Sequence, residues 1–170
     1  MHDTEDKDWW IKWGSIKEEQ FLQHCLEDGL LPGIAKSSGP PHYPEFTYQG
    51  QYLDLKTVQT PFFMAKKKYN INSNSAVTLN TQDVLDCTHK YPECQIVFDV
   101  DWQEDTKFGV EIKARKELRF LSYKRMQELI IDAPIHYYQK RMNDSNGNAK
   151  GSYVLDLQDM ELLGGKECQK

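Results

Sequence analysis

The sequence feature that most constrains the fold is the segment EFTYQGQYLDL, residues 45–55, in which apolar and polar side chains alternate on both sides of a Gln-Gly pair. An x-Gly pair between two alternating runs is typical of a β-hairpin with a two-residue turn. If Gln49 and Gly50 form the turn, each step outward pairs the next two residues, so that Glu45 faces Asp54. The sequence therefore predicts two carboxylates opposed across a hairpin.

Opposed carboxylates at this spacing call for a positive partner. Directly facing side chains have Cβ atoms about 4.5–5.5 Å apart, and like charges at that distance destabilise a sheet. A divalent cation between the two groups would remove the repulsion. The two-residue period of a strand places Lys56 on the same face as Asp54, while Leu53 and Leu55 point into the core. We therefore expect two acids and a lysine to converge on one point.

The order Pro44-Glu45, hairpin, Asp54-Leu55-Lys56 resembles the bipartite motif of the PD-(D/E)XK nuclease superfamily, the restriction-endonuclease-like fold. Glu45 stands where the family usually has aspartate. The resemblance covers the preceding helix and the hairpin, roughly the first third of the chain. It implies that Glu45, Asp54 and the carbonyl of Leu55 bind Mg²⁺, for which Mn²⁺ can substitute, and that Lys56 orients the attacking water.

The fold implied by this resemblance is α/β (mixed α+β), with a restriction-endonuclease-like core in which helices flank a central mixed sheet. The order of predicted elements favours the same class, because strands and helices mix without strict alternation. With 170 residues and 39% hydrophobic content, the chain is long enough for one domain with a proper core. We predict a single nuclease-like domain over residues 1–170.

The predicted elements outside the hairpin are three helices and three strands. The helices are predicted at 15–28, 81–90 and 122–141, the last interrupted at Pro134, and the strands at 94–102, 108–114 and 152–157. Ser15 is the predicted N-cap of the first helix, and Gly29 its stop. The apolar stripe of that helix consists of Phe21, Leu22, Cys25 and Leu26.

In the nuclease superfamily the first helix often supplies another acid, and Glu18 projects within the apolar stripe of the predicted helix. Ser15 and Glu18 also match a capping box, which would use the carboxylate locally. Both alternatives remain open at this stage. Gln59, in a continued strand, points away from Lys56 and is not included in the site.

The acid-any-lysine half of the motif is weak evidence alone. It occurs four times, starting at Glu5, Asp54, Asp105 and Glu111. The rival site is Glu111 with Lys113, on a strand-like segment downstream of Asp99 and Asp101, although the register between these segments is undetermined. A further alternative is an ordinary edge hairpin in which Asp54 and Lys56 form a surface ion pair.

The predicted DNA contacts lie in a basic, asparagine-rich loop after the hairpin. They are Lys66, Lys67, Lys68 and Asn70. Lysines can hold phosphates while asparagine reaches base edges, and the alternative is a solvated charged loop. His136, Lys140 and Arg141 form a second basic patch. The preceding Phe62 and Phe63 are predicted to be core residues.

Composition limits the classes of protein to which this chain can belong. The formal net charge of −5 argues against a protein that coats nucleic acid indiscriminately. The acidic N-terminus and the absence of a long apolar run favour a cytoplasmic protein without a membrane segment. The four cysteines form no spacing typical of zinc, so we expect reduced thiols.

The function predicted from the sequence is a metal-dependent DNA endonuclease that hydrolyses phosphodiester bonds, of the type II restriction, phage or repair kind. One alternative is a catalytically inactive nucleic-acid-binding domain of the same fold. Another is an unrelated protein-interaction domain whose hairpin charges are incidental. A homodimer is left open as the oligomeric state.

Overall fold

The computed structural model of the protein describes residues 7–40, 43–138 and 151–165. The helices are α1 (Lys7–Asp28), α2 (Ala65–Tyr69), α3 (Thr81–His89) and α4 (Tyr123–Ile130). The strands are β1 (Ala35–Lys36), β2 (Phe46–Tyr48), β3 (Gln51–Val58), β4 (Ala76–Asn80), β5 (Gln95–Trp102), β6 (Asp105–Lys107), β7 (Val110–Ile112), β8 (Arg115–Leu121), β9 (Ile135–Tyr137), β10 (Gly151–Asp156) and β11 (Glu161–Gly165).

The centre of the fold is a six-stranded mixed sheet in the order β1-β2-β3-β5-β8-β11. The pairing of β3 with β5 is parallel, and the other pairings are antiparallel. A three-stranded antiparallel sheet has the order β4-β10-β9, and β6 with β7 forms a hairpin. The predicted mixed α+β class with a central mixed sheet is therefore confirmed.

Both faces of the central sheet are buried. Helix α1 covers one face, where Phe21 and Cys25 pack in a cluster with Leu53, Leu55 and the β5 residue Val97. The second face packs against the three-stranded sheet, α3 and α4. Its core includes Ile96, Phe98, Val100, Leu121, Val77, Leu79, Val84, Met126 and Leu155. Burial on both sides explains why β5 begins with a continuous apolar run rather than an alternating one.

The predicted hairpin is confirmed in its turn and register. Gln49 has φ 52° and Gly50 has φ 77°, as a turn that follows the right-handed twist of the strands requires. Phe46 pairs with Leu53, in the register that the sequence predicts for the hairpin. The next residue outward from Phe46 is Glu45.

The start of α1 differs from the prediction. The helix begins at Lys7, so Ser15 lies inside it, and the predicted N-cap and capping box are wrong. Aromatic contacts accompany the extra turns, because the Trp9 and Trp10 rings lie 4.7 Å apart and both contact Trp13. The predicted end at Gly29, with φ 65°, is confirmed.

Other predictions are confirmed in part. The predictions for α3, β5 and β10 are close to the observed bounds, whereas Leu26, predicted to be apolar-facing, is 65% exposed. The predicted helix beyond Pro134 is wrong: residues 135–137 form β9, which pairs with β10. Aromatic and β-branched residues favour that pairing. The strands β1, β4, β6, β8 and β11 were not predicted.

The basic run also differs from the prediction, because Lys66, Lys67 and Lys68 lie in α2 rather than in a loop. Lys140 and Arg141 of the second basic patch lie outside the described residues. Of the helices in the described ranges, none combines the length and apolar character that a membrane span requires.

Candidate active site

Glu45 and Asp54 lie together in the structure. Glu45 directly precedes β2, and Asp54 lies on the part of β3 that extends beyond its pairing with β2. Oε2 of Glu45 accepts a hydrogen bond of 3.0 Å from the backbone N–H of Leu55. Burial, together with the neighbouring negative charge of Asp54, raises the pKa of Glu45 to about 8. A carboxyl group in this setting holds its proton near neutral pH unless a cation replaces the proton.

Lys56 lies between two carboxylates. Its Nζ is 2.7 Å from Oδ2 of Asp54 and 3.0 Å from Oδ2 of Asp83. Burial alone would lower the pKa of the Lys56 ammonium, but the two aspartates outweigh it and raise the pKa above its ordinary value. Lys56 is therefore charged, and it is positioned from two directions.

Asp83 reaches this point from the first turn of α3. The helix starts after Asn80, whose side chain accepts a hydrogen bond of 2.9 Å from the backbone N–H of Gln82. This cap fixes the first turn, and Asp83 follows in the same turn. Asp83 was not predicted from the sequence, because its approach to Lys56 depends on tertiary packing alone.

Leu55 contributes through its backbone. The side chain is 9% exposed and points into the core, as predicted, where it packs in a cluster with Phe21 and Cys25 of α1. Strand β2 pairs with β3 only up to Leu53, so the edge of β3 beyond that residue faces Glu45. The N–H and C=O of a strand residue point to the same edge. Because the Leu55 N–H donates to Glu45, the Leu55 carbonyl lies on the same edge.

A cleft of about 520 Å³ opens between α1 and the end of β3. It is lined by Trp10, Trp13, Gly14, Lys17, Glu18, Glu45, Leu55, Lys56, Thr57, Val58, Gln59, Thr60 and Thr78. Glu18 thus lines the same cleft as Glu45. Burial raises the pKa of Glu18, although Lys36, at 3.9 Å, partly opposes the shift.

Gln59 lines this cleft as well, although its omission from the site rested on a side chain that points away from Lys56. The omission assumed that the strand continues, but β3 ends at Val58. The alternation of side chains therefore stops one residue before Gln59.

The donor set fits a hard divalent cation. Glu45, Asp54 and the Leu55 carbonyl offer oxygen atoms, and Mg²⁺ usually takes one or two carboxylates and keeps several waters. Among the described residues, no three His, Cys, Asp or Glu side chains form a ready-made metal cluster. The pair would therefore hold a water-rich ion rather than one enclosed by protein ligands.

The rival site is not brought together. Asp99 and Asp101 on β5 pair with Leu118 and Lys116 of β8, whereas Glu111 on β7 pairs with Thr106 of β6. The acids thus belong to two different sheets. Both Glu111 and Lys113 are exposed. This arrangement matches the solvated strand face that was the alternative interpretation.

The predicted DNA-contact residues lie apart from the cleft. Lys66 Nζ donates a hydrogen bond of 2.6 Å to Oδ1 of Asn70, which has φ 59° at the end of α2. These two residues line a separate cavity whose acidic members are Glu128, Asp132, Asp156 and Asp159. Lys66, Lys67 and Lys68 are exposed. Phe63 is buried and Phe62 is partly buried, as predicted.

The tryptophans of the cleft were also missed. Their signal was present in the sequence, because Trp10 and Trp13 continue the helical spacing of Phe21 towards the N-terminus. The assumed start at Ser15 concealed this continuity.

Comparison with protein-family models, curated proteins and solved structures finds no match for this chain.

Proposed function

We propose that the protein is a metal-dependent DNA endonuclease with a restriction-endonuclease-like core. The observation that carries the proposal is the convergence of Glu45, Asp54 and Lys56 at one edge of β3. Two acids and a lysine in this arrangement match the needs of phosphodiester hydrolysis. The acids can hold a cation, and the lysine can stabilise charge on the scissile phosphate.

Each residue has a stated role in this proposal. Glu45, Asp54 and the Leu55 carbonyl hold Mg²⁺ or Mn²⁺, and Glu18 faces the cleft from α1 as a further acid. A divalent cation held there would supply Lewis-acid chemistry, activating water and offsetting negative charge on the phosphate. Lys56 donates hydrogen bonds to the attacking water and to the phosphate oxygen.

Asp83 acts as a positioning residue for Lys56. If Asp54 held a cation, the Lys56 ammonium would still have Asp83, at 3.0 Å, as its partner. The lysine therefore does not have to leave the site when the ion enters. This second carboxylate also limits the directions in which the Lys56 N–H groups can point.

The test of the proposal is cleavage of plasmid and single-stranded circular DNA with Mg²⁺ or Mn²⁺. Wild-type protein is expected to cut only with the metal. Asp54→Asn and Lys56→Ala should each lower the rate by at least about a hundredfold while the fold is kept. Lys113→Ala is the matched control, because Lys113 occupies the same acid-any-lysine pattern on an exposed strand. Loss of cleavage in the control alone would reject this site.

One observation favours a second candidate, an inactive nucleic-acid-binding domain of the same fold. The Lys56 ammonium already supplies positive charge to Asp54 at 2.7 Å, so the site is partly neutralised without a metal. Calorimetric titration with Mn²⁺ separates the two functions. The endonuclease should bind Mn²⁺ and lose that binding in Asp54→Asn, whereas the inactive domain should not bind the ion.

A further inference from the structure

The face of α1 that packs against the sheet also lines the cleft. Phe21 and Cys25 are buried against the sheet, and the same helical face carries the five residues that line the cleft. In order, they are Trp10, Trp13, Gly14, Lys17 and Glu18. One helix stripe thus packs into the core in its second half and forms a cleft wall in its first half.

The wall is aromatic and carries a cation. Trp10 is 40% exposed, and the centroids of its ring and that of Trp13 are 5.8 Å apart. Lys17 Nζ lies 5.6 Å from the Trp13 ring centroid. Aromatic rings beside a basic side chain are the combination that proteins use to bind unpaired nucleotides, because every base has a face that can stack.

Gly14 leaves the cleft open between these rings and Lys17. A glycine inside a helix weakens it relative to alanine, so a packing reason is expected. Gly14 has no such packing reason, since an added Cβ would meet nothing within 4 Å. The missing side chain instead widens the cleft beside Trp13.

The opposite wall is polar. Lys56 and Thr57 belong to the end of β3, Gln59 and Thr60 follow that strand, and Thr78 comes from β4. Leu55 and Val58 of β3 line the cleft as well. A lysine, a glutamine and three threonines can donate hydrogen bonds to phosphate oxygens or base edges. The cleft therefore has one wall that can stack bases and one that can donate hydrogen bonds, and Glu45 also lines it.

We propose that this cleft binds single-stranded DNA, with unpaired bases stacked on Trp10 and Trp13 and the backbone held by Lys17 and Lys56. The inference rests on the proposed function, because the bound strand leads to Glu45. A duplex does not suit the cleft, since its base faces are covered by neighbouring pairs and a volume of about 520 Å³ holds only a nucleotide or two.

The experiment measures fluorescence anisotropy of a fluorescein-labelled oligothymidylate of about ten nucleotides. EDTA is present, so that cleavage does not intervene. Wild-type protein should bind the single strand at least about tenfold more tightly than the duplex formed with its complement. Trp10→Ala and Trp13→Ala should each weaken binding by about tenfold.

Gly14→Leu provides an independent variant, because it fills the cleft and also strengthens the helix. It should weaken binding by about tenfold as well. Ser15→Leu is the matched control: it adds the same side chain at the next position, which is exposed and outside the cleft lining. Circular dichroism checks that α1 is retained. Wild-type affinity in Gly14→Leu, or equal binding of duplex and single strand, would overturn the inference.

The two proposals can fail separately. Tryptophan-dependent binding without metal-dependent cleavage would support the cleft and reject the endonuclease. Cleavage of duplex DNA that is unaffected by Gly14→Leu would reject the cleft and retain the endonuclease.

Discussion

Oε2 of Glu45 accepts a 3.0 Å hydrogen bond from the backbone N–H of Leu55, so that a side chain continues the edge pairing of β3 where β2 does not. This contact fixes the carboxyl group beside Asp54 in a partly buried position. The hydrogen bond favours the charged form of Glu45, but burial and the second carboxylate outweigh it. Glu45 therefore carries a proton near neutral pH, and a bound cation can displace that proton.

The raised pKa of Glu45 predicts how the stability of the metal-free protein depends on pH. The folded-state pKa of Glu45 is about 8, above the ordinary value of 4.5. Between these values the folded state binds more protons than the unfolded state, so stability should fall as pH rises through this window. Thermal unfolding in EDTA from about pH 5 to pH 8 should show a falling Tm. Glu45→Gln should flatten the fall.

Glu104→Gln is the control for this measurement, since Glu104 is exposed. It should reproduce the wild-type profile. A wild-type Tm that rises steadily over the window would mean that Glu45 is ionised in the folded protein, contrary to this prediction.

Metal binding should release protons. A cation held by Glu45 and Asp54 needs both carboxylates ionised, so about one proton should leave per ion near neutral pH. Calorimetric titration with Mn²⁺ in buffers of different ionisation enthalpy measures that number. Glu45→Gln should reduce the release to near zero. Equal heats of binding in all buffers for the wild-type protein would contradict the prediction.

The two aspartates around Lys56 should be coupled. Asp54→Asn removes repulsion with Glu45 but also one partner of Lys56, so we expect a change in unfolding free energy within about 1 kcal/mol. Asp83→Asn should change the unfolding free energy by a similar amount. The double variant should lose more unfolding free energy than the two single variants together, because Lys56 then has neither carboxylate as a partner. Chemical denaturation of the four proteins in EDTA tests this, and strict additivity would show that the two ion pairs are independent.

The hairpin and its acid pair could be predicted because the signals are local. A Gln-Gly turn sets the register, and the register sets the positions of Glu45, Asp54 and Lys56. Asp83 could not be predicted in the same way. Its position depends on where tertiary packing places α3, and no spacing in the sequence encodes its contact with Lys56.

The errors at α1 and α2 have a different physical origin. Ser15 is a good N-cap residue, and this local preference concealed an aromatic stripe that extends the helix to Lys7. In the basic run, three lysines followed by Asn70 suggested a loop that contacts DNA. Buried Ala65, which packs with Ala76 and Val154, instead anchors a short helix there.

The basic helix α2 leads to the last prediction, on salt dependence. Each lysine that neutralises a phosphate releases condensed counterions, so the logarithm of duplex affinity falls with the logarithm of salt by about 0.9 per contact. Replacing Lys66, Lys67 and Lys68 with glutamine should flatten that slope. We expect a change of about two units rather than three, since Lys66 is hydrogen bonded to Asn70 beside an acidic cavity.

A matched triple variant separates specific contacts from net charge. Lys107, Lys116 and Lys124 are exposed elsewhere on the protein, and their replacement by glutamine removes the same charge. This control should leave the slope nearly unchanged. Equal slopes for the two triple variants would assign α2 to a solvated face and direct the search to Lys140, Arg141 and Lys150. Asn70→Gly, which tolerates the positive φ, should alter sequence preference only if Asn70 contacts bases.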